Sequence, residues 1–112
     1  MKDKVIALLG LARRANKTIL GETILQVLSQ DKVKFILIAS DASAKTQERY
    51  LKKCHYYQIK YSLDFDSDEL AAAIGRNNVK TIGIVDEGFA KAINKELEGG
   101  CNYGETSEEK DK

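Results

Sequence analysis

The 112-residue sequence contains no proline, no tryptophan, one histidine and two cysteines, and it lacks long apolar runs. These runs do not exceed five residues, as in Phe35 to Ala39, whereas roughly 18 are needed to span a bilayer. The cysteines, Cys54 and Cys101, favour reduced thiols over a disulfide framework. The opening Met-Lys-Asp-Lys leads into an amphipathic pattern rather than a signal peptide. We therefore expect a cytoplasmic protein with no membrane association.

Enzyme and metal motifs are also scarce. Gly83 and Gly88 have the spacing of a phosphate-binding P-loop, but the lysine that would neutralise the phosphates is missing. Cys54 and His55 are adjacent on a predicted helix, where neighbouring side chains point about 100° apart and do not face each other. One histidine and two cysteines cannot fill a four-ligand zinc site without carboxylates. We expect no catalytic residues, no metal site, no cofactor and no small-molecule substrate.

Size and composition fit one domain. With 43% hydrophobic and 31% charged residues, the chain has the balance of a globular protein that buries roughly two-thirds of its unfolded surface. Periodicity stops at Gly99-Gly100, and acidic and polar residues follow. We therefore predict a folded domain over residues 1–98 and a flexible acidic C-terminal tail over 99–112.

The net charge of +1 conceals a split along the chain. Residues 1–60 contain 12 Lys and Arg against 5 Asp and Glu, and residues 61–112 contain 6 against 12. Such a split is compatible with an ordinary solvated surface, and also with one basic face that attracts phosphates.

Apolar periodicity alternates between helix and strand. Helical spacing recurs in five segments, 4–15, 21–28, 43–54, 66–75 and 86–97. Strand character recurs in four, 17–20, 33–39, 56–61 and 80–85. The segment 33–39 is almost entirely apolar, as in a strand covered on both faces. The pattern predicts an α/β protein, a single-domain three-layer α/β/α sandwich with about four mixed strands flanked by about five helices.

Two polar segments are candidates for recognition. Gly21-Glu22-Thr23 opens a helix, where backbone N–H groups suit a phosphate or a base edge, although Gly21 is equally suited to a tight turn. The second segment is the loop 75–80, in which Arg76, Asn77 and Asn78 offer donors and acceptors to bases and phosphates. Ordinary turn chemistry explains this loop as well. Their joint occurrence in one sandwich favours the functional interpretation.

Four segments together resemble the bacterial YlxQ-like proteins, a branch of the ribosomal L-seven-Ae superfamily that binds kink-turn RNA. They are Leu9–Ala15 (LGLARRA), Lys17–Glu22 (KTILGE), Ile38–Ser43 (IASDAS) and Val85–Ala90 (VDEGFA). The resemblance covers about residues 4–98 and implies a non-catalytic, ribosomal or translation-associated RNA-binding protein. In that family the second helix contacts sheared G·A pairs, and a loop before the last strand holds flipped-out nucleotides.

Carried over by position, the resemblance implies RNA-binding residues in three groups. The helix group is Gly21, Glu22, Thr23 and Gln26, with Lys17 on the approach. Arg13 and Arg14 lie just upstream and, as cations, are expected to contact phosphates. The loop group is Arg76, Asn77 and Asn78, and between the two groups lie Ser40 and Asp41. The partner is expected to be a structured kink-turn RNA, ribosomal RNA included, bound by a monomer.

The chain departs from the Gly-x-Asn-Glu-x-x-Lys pattern that many relatives carry at the helix start. Counting forward from Gly21 gives Thr23, Ile24 and Val27 at the last three defined positions. Counting back from Asp41 gives Glu22, Thr23 and Gln26. We favour the second register because all three of its residues are polar. The family lysine is absent in both registers, which leaves open two alternatives: a protein-interaction module on the same scaffold, or a substrate-binding domain of an RNA-modifying assembly.

Overall fold

The computed structural model describes residues 2–97, so the predicted tail at 99–112 lies outside the described residues. Five α-helices, one short 3-10 helix and four strands alternate along this part of the chain. The elements are α1 (Lys2–Arg14), β1 (Thr18–Leu20), α2 (Glu22–Val27), β2 (Phe35–Ile38), α3 (Ala44–Tyr57), β3 (Lys60–Ser62), α4 (Ser67–Ile74), β4 (Thr81–Ile84) and α5 (Glu87–Glu96), with the 3-10 helix at Leu28–Gln30.

The four strands form one mixed sheet in the order β1-β4-β2-β3. Strand β4 runs antiparallel to both β1 and β2, whereas β2 and β3 are parallel. All four residues of β2 are buried, as expected of an interior strand covered on both faces.

Helices cover both faces of the sheet. Phe35 and Leu37 of β2 pack into a core cluster with α1, α4 and α5, and Ile36 and Ile38 pack into a second cluster with α2 and α3. This alternation follows from the two-residue period of a strand. The three-layer α/β/α sandwich predicted from the sequence is confirmed.

Capping side chains define most of the helix starts. The Ser43 side chain accepts a hydrogen bond from the backbone N–H of Thr46 at the start of α3. Asp66 and Glu69 form a capping box at the start of α4, which ends at Gly75 with φ of 70°. These starts agree with the helical segments predicted from residues 43 and 66 onward.

One predicted strand is shorter than expected. The weak alternation over 56–61 predicted a strand, but α3 continues to Tyr57, and β3 begins only at Lys60. Tyr57 lies three residues after the buried Cys54, so it extends the apolar face of α3 against the second core cluster. Gln58 then ends the helix in the left-handed conformation, with φ of 56°.

Candidate functional site

Strand register brings several loops to one end of the sheet. Leu20 pairs with Ile82, and Ile38 pairs with Thr81, so β1 and β2 end where β4 begins. We call this the site end of the sheet; it carries Gly21, Ser40 and the loop leading into Thr81. The other end, where β1 and β2 begin, is called the opposite end.

A surface cleft at the site end joins the two recognition segments. Its volume is about 290 Å³, and its lining residues are Leu20, Gly21, Arg76, Asn77, Asn78, Val79, Lys80 and Thr81. The segments are 55 positions apart in the sequence between Gly21 and Arg76. The structure therefore brings the start of α2 next to the polar loop. A common binding site requires this proximity.

The loop projects polar side chains from a buried anchor. Arg76, Asn77 and Asn78 are exposed, whereas Val79 is buried in the core. The backbone N–H of Arg76 donates to the carbonyl oxygen of Ala71 at 3.0 Å, which ties the loop to the end of α4. Asn78 adopts a left-handed conformation with φ of 55°, which asparagine tolerates better than most residues. The loop is thus held at both ends while its polar groups face solvent.

The start of α2 is held against α3 and the sheet. The Tyr50 hydroxyl of α3 donates to the carbonyl oxygen of Gly21 at 2.9 Å. A Cβ on Gly83 of β4 would lie 3.0 Å from Ile19 Cγ1 and 3.1 Å from Ile24 Cγ1, so glycine lets α2 pack closely on the sheet. Gly21 has φ of 57° and supplies no side-chain cap.

Exposure separates the two sequence registers of α2. Glu22, Thr23 and Gln26 are all exposed. Ile24 is fully buried in the second core cluster, and Val27 is half-buried against it. A fully buried side chain cannot reach a macromolecular ligand, so the exposed surface corresponds to the register counted back from Asp41.

Glu22 has a cationic partner that sequence reasoning missed. Its Oε2 lies 3.6 Å from Nη1 of Arg49 on α3, and the two side chains are 77% and 51% exposed. No local pattern signals this pair, since the residues are 27 positions apart on different helices. An exposed pair of this kind contributes about 0–1 kcal/mol to stability. Its importance is positional, because it links α3 to the start of α2.

Asp41 is engaged within the protein. Its two carboxylate oxygens accept hydrogen bonds from the side chain and the backbone N–H of Ser67, both at 2.8 Å. These two bonds lower the pKa of Asp41 below its ordinary value of 3.8. The neighbouring Ser40 is exposed, and its backbone N–H donates to Phe65 at 2.8 Å. Asp41 thus helps to hold the start of α4, while the Ser40 side chain faces solvent.

The predicted basic residues divide between two places. Arg13 and Arg14 are exposed and line a second cleft, of about 540 Å³, with Gly75 and the end of α4. This cleft adjoins the residue that precedes Arg76. Lys17 lies at the opposite end, where its carbonyl oxygen accepts from the N–H of Val85 at 2.9 Å. The three residues of β1 lie between Lys17 and Gly21, and the four residue steps span about 13 Å, so the structure does not bring the two together.

Lysines surround a third cleft at the opposite end. Its volume is about 230 Å³, and its lining includes Lys34, Lys60, Lys91 and Glu87. Lys91 Nζ lies 3.7 Å from Glu87 Oε2 within α5. The opposite end therefore carries cations and carboxylates side by side.

The next features are the residues that nucleophilic or metal chemistry would use. Cys54 is fully buried, and burial raises the pKa of its thiol to about 12, so it is protonated at neutral pH. Within residues 2–97, no group of three or more histidine, cysteine, aspartate or glutamate side chains is placed to hold a metal ion. No helix in the same range is long and apolar enough to cross a membrane.

Comparison with known proteins yields one consistent family. The model of the "Ribosomal protein L7Ae/L30e/S12e/Gadd45 family" matches residues 3–94. The chain is 36% identical over 99 residues to "RNA-binding protein YlxQ" of Enterococcus faecium, covering 88% of this chain and 95% of the relative. It is 32% identical over 87 residues to the Bacillus subtilis (strain 168) protein of the same name, covering 77% and 87%.

A solved structure has the same architecture. A protein of unknown function from Bacillus halodurans C superposes with a TM-score of 0.79 at 32% sequence identity. The match covers 82% of this chain and 94% of that one.

Proposed function

Because this chain belongs to the Ribosomal protein L7Ae/L30e/S12e/Gadd45 family, we propose that it is a non-catalytic RNA-binding protein that recognises kink-turn-like RNA with the site end of its sheet. The two relatives named as RNA-binding proteins support RNA binding. The observation that carries the proposal is the cleft that joins the start of α2 to the Arg76–Asn78 loop. On one side the cleft is lined by Leu20 and Gly21, directly before the exposed face of α2, and on the other side by the polar loop.

The exposed face of α2 supplies the groups that read bases. The carboxylate of Glu22 accepts hydrogen bonds, and the Thr23 hydroxyl and the Gln26 amide both donate and accept. Sheared G·A pairs present guanine N–H groups that a carboxylate can accept from. A carboxylate near phosphates that bound no base would weaken binding by repulsion. Glu22 is therefore assigned to guanine recognition, with Arg49 moderating its charge.

The loop at the site end holds the unpaired nucleotides. Sequence-specific RNA recognition usually targets unstacked bases, which stack on planar side chains and hydrogen-bond through their edges. The Arg76 guanidinium is planar, and the Asn77 and Asn78 amides each carry donors and an acceptor. Arg13 and Arg14, around the neighbouring cleft, contact phosphates of the same RNA. Asp41 acts indirectly by holding α4.

The RNA is proposed to be ribosomal or another structured RNA associated with translation. The protein binds it as a monomer in the cytoplasm, with no cofactor. Membership of a family whose name includes ribosomal proteins supports the ribosomal assignment.

A binding titration with three RNAs tests the proposal. The first carries a kink-turn, the second has its sheared G·A pairs replaced by G·C, and the third is a straight duplex of equal length. We expect the kink-turn to bind at least tenfold more tightly than the other two, because phosphate contacts alone do not read bases. Equal affinity for all three RNAs would contradict kink-turn recognition and leave only nonspecific binding.

A further inference from the structure

Helix α3 presents a row of cations with an aromatic ring at its end, which shares only Arg49 with the site described above. The row consists of Lys45, Arg49, Lys52 and Tyr56, and we call it the α3 row. Resting on the proposed RNA-binding function, we propose that the α3 row binds a single-stranded RNA segment that continues from the structured element. Its cations contact phosphates, and Tyr56 stacks on a base.

Helical geometry aligns the row. Its members are spaced i, i+4, i+7 and i+11, which places them within about 60° of arc at 100° per residue. The row extends about 16 Å at 1.5 Å per residue. All four side chains are exposed, whereas Tyr50 and Cys54 on the other side of α3 are buried. The row is therefore the outward-facing spine of the helix.

The row is continuous with the proposed RNA site. Helix α3 begins after Ser43 at the site end, and Arg49 lies 3.6 Å from Glu22. The Tyr50 hydroxyl, one position along, binds the Gly21 carbonyl oxygen. From there α3 runs to Tyr57, next to the start of β3 at the opposite end. A strand that leaves the α2 contact can follow α3 without crossing another element.

Positive charge dominates the surface along this helix. Lys45, Arg49, Lys52 and the neighbouring Lys53 face one exposed carboxylate on α3, that of Glu48. Lys52 Nζ lies 3.7 Å from Glu48 Oε2, with both side chains more than 60% exposed, so salt screens the pair and a phosphate can replace the carboxylate. Within residues 2–97, Lys45 and Lys53 have no carboxylate at ion-pair distance. The row attracts a polyanion.

Tyr56 adds an exposed aromatic ring, which is not required for electrostatic attraction of a polyanion. Tyr56 is 79% exposed, and Leu11, at 52%, is the other large apolar residue that is exposed in the described part of the chain. The Tyr56 and Tyr57 ring centroids are 4.8 Å apart at an interplanar angle of 84°, so an edge-on contact orients the Tyr56 ring. An exposed tyrosine by itself does not indicate an RNA-binding surface. An oriented ring at the end of a cationic row matches the combination that binds single strands, a basic track with an aromatic platform.

RNAs with and without a single-stranded tail test this inference. The kink-turn RNA is used blunt, with a ten-nucleotide uridine tail on its 5′ end, and with the same tail on its 3′ end. We expect one tail to tighten binding about tenfold or more, because stacking and phosphate contacts add to the structured element. Tyr56→Ala and the double variant Lys45→Ala/Lys52→Ala should each weaken binding of the tailed RNA by about fivefold or more.

Matched controls test whether the effects are specific to the α3 row or follow from the loss of any exposed lysine or apolar side chain. Lys91→Ala/Lys95→Ala removes two exposed lysines of α5, one of them in an i,i+4 pair with Glu87 that resembles the Lys52–Glu48 pair. Leu11→Ala truncates the other exposed apolar side chain. Both controls, and Tyr56→Phe, which keeps a ring, should retain the tail effect within about twofold. On blunt RNA, Tyr56→Ala should bind like the wild type.

The outcomes distinguish failure of this inference from failure of the proposed function. If blunt kink-turn RNA binds and neither tail adds affinity, the α3 row is not an RNA surface. The inference is also overturned if Tyr56→Ala weakens blunt and tailed RNA equally. If kink-turn RNA does not bind at all, the proposed function fails. A twelve-nucleotide oligouridine then tests the row directly, and unchanged binding in Tyr56→Ala would overturn it.

Discussion

The two ends of the sheet differ in how their polar groups are used. The opposite end has more lysines, with Lys17, Lys34, Lys60 and Lys91 around it, but Lys91 pairs with Glu87 beside the cleft. The site end has fewer lysines and also exposes hydroxyl, amide and guanidinium groups on two segments that meet at one cleft, at Gly21 and at Arg76–Asn78. A count of lysines favours the opposite end, whereas directional hydrogen-bonding groups favour the site end.

The start of α2 differs from the start of α5 at the other end of the sheet. At the opposite end, Asp86 caps α5 by accepting from the N–H of Phe89 at 2.9 Å. Among helices α2 to α5, only α2 begins without a side-chain cap, because Gly21 occupies that position. Charge attracts any polyanion, but discrimination requires donors and acceptors that the protein has not already used. Recognition should therefore depend on the site end and only weakly on the lysines opposite.

Salt dependence should give the largest effect. We expect RNA affinity to fall with a log–log slope of about −3 to −6, since each phosphate contact releases counterions. Between 50 and 200 mM salt this slope corresponds to about 60- to 4,000-fold in affinity. Arg76→Ala should reduce the slope by about 0.7–0.9, and Lys60→Ala should not change it. A flat salt response in gel-shift or fluorescence titrations would favour a protein partner over RNA.

Removal of one loop cation should come next. We expect Arg76→Ala to weaken kink-turn binding by about 1–3 kcal/mol, because the exposed guanidinium is proposed to contact RNA rather than the fold. Lys60→Ala, an exposed cation at the opposite end, should cost less than about 0.5 kcal/mol. Thermal unfolding of both variants should match the wild type. If Arg76→Ala lowers the melting temperature in proportion to its loss of binding, the loop is structural and the site assignment is wrong.

Two glutamates provide a matched test of base reading. Glu22 and Glu87 are each the first residue of a helix, and each has an exposed ion pair, at 3.6 and 3.7 Å. Glu22→Gln should cost about 1–3 kcal/mol on the kink-turn and almost nothing on the G·C control RNA. Glu87→Gln should not distinguish the two RNAs.

The opposite result for Glu22→Gln is equally informative. If this variant tightens both RNAs slightly, Glu22 reads no base, and its charge merely repels phosphates. The register counted back from Asp41 would then be wrong, and Thr23 would carry the selectivity that remains.

The smallest effect concerns a residue that supports the site end. The folded-state pKa of Asp41 lies below 3.8, so its bonds to Ser67 stabilise the protein above that pH and are lost as the pH falls through the folded pKa. Asp41→Asn should therefore have a slightly lower melting temperature than the wild type at pH 7. The difference should shrink below pH 3.8. A difference that stays constant down to pH 2 would mean that ionisation of Asp41 contributes nothing to stability.

Much of the local structure follows from short-range patterns. Side chains that cap helices at Ser43, Asp66 and Asp86 act within three residues of themselves, so their effect is visible in the sequence. Gly75 ends α4 at the last residue of the predicted segment 66–75, and Asn16, just after α1, adopts a left-handed conformation with φ of 63°, which asparagine tolerates. The alternation of β2 between two cores likewise follows from the strand period.

Parts of the candidate site required information that no local pattern holds. The exposure of Glu22 rather than Ile24 depends on which face of α2 meets the sheet, and this packing relies on the missing Cβ of Gly83. Basic residues close to Gly21 in sequence suggested one cluster, yet β1 carries Lys17 to the opposite end. A strand extends about 3.3 Å per residue, so Lys17 and Gly21 are close in the sequence but lie at opposite ends of β1.

The chain's composition, caps and periodicities were sufficient to specify its elements, its layers and the polar segments that meet at one end of the sheet. Long-range packing decided the strand order β1-β4-β2-β3, the pairing of Glu22 with Arg49 and the use of Asp41 to hold Ser67. The physical reason is the range of the interactions. Capping and amphipathicity act over three or four residues, whereas partners across helices and strands are chosen by how whole elements pack together.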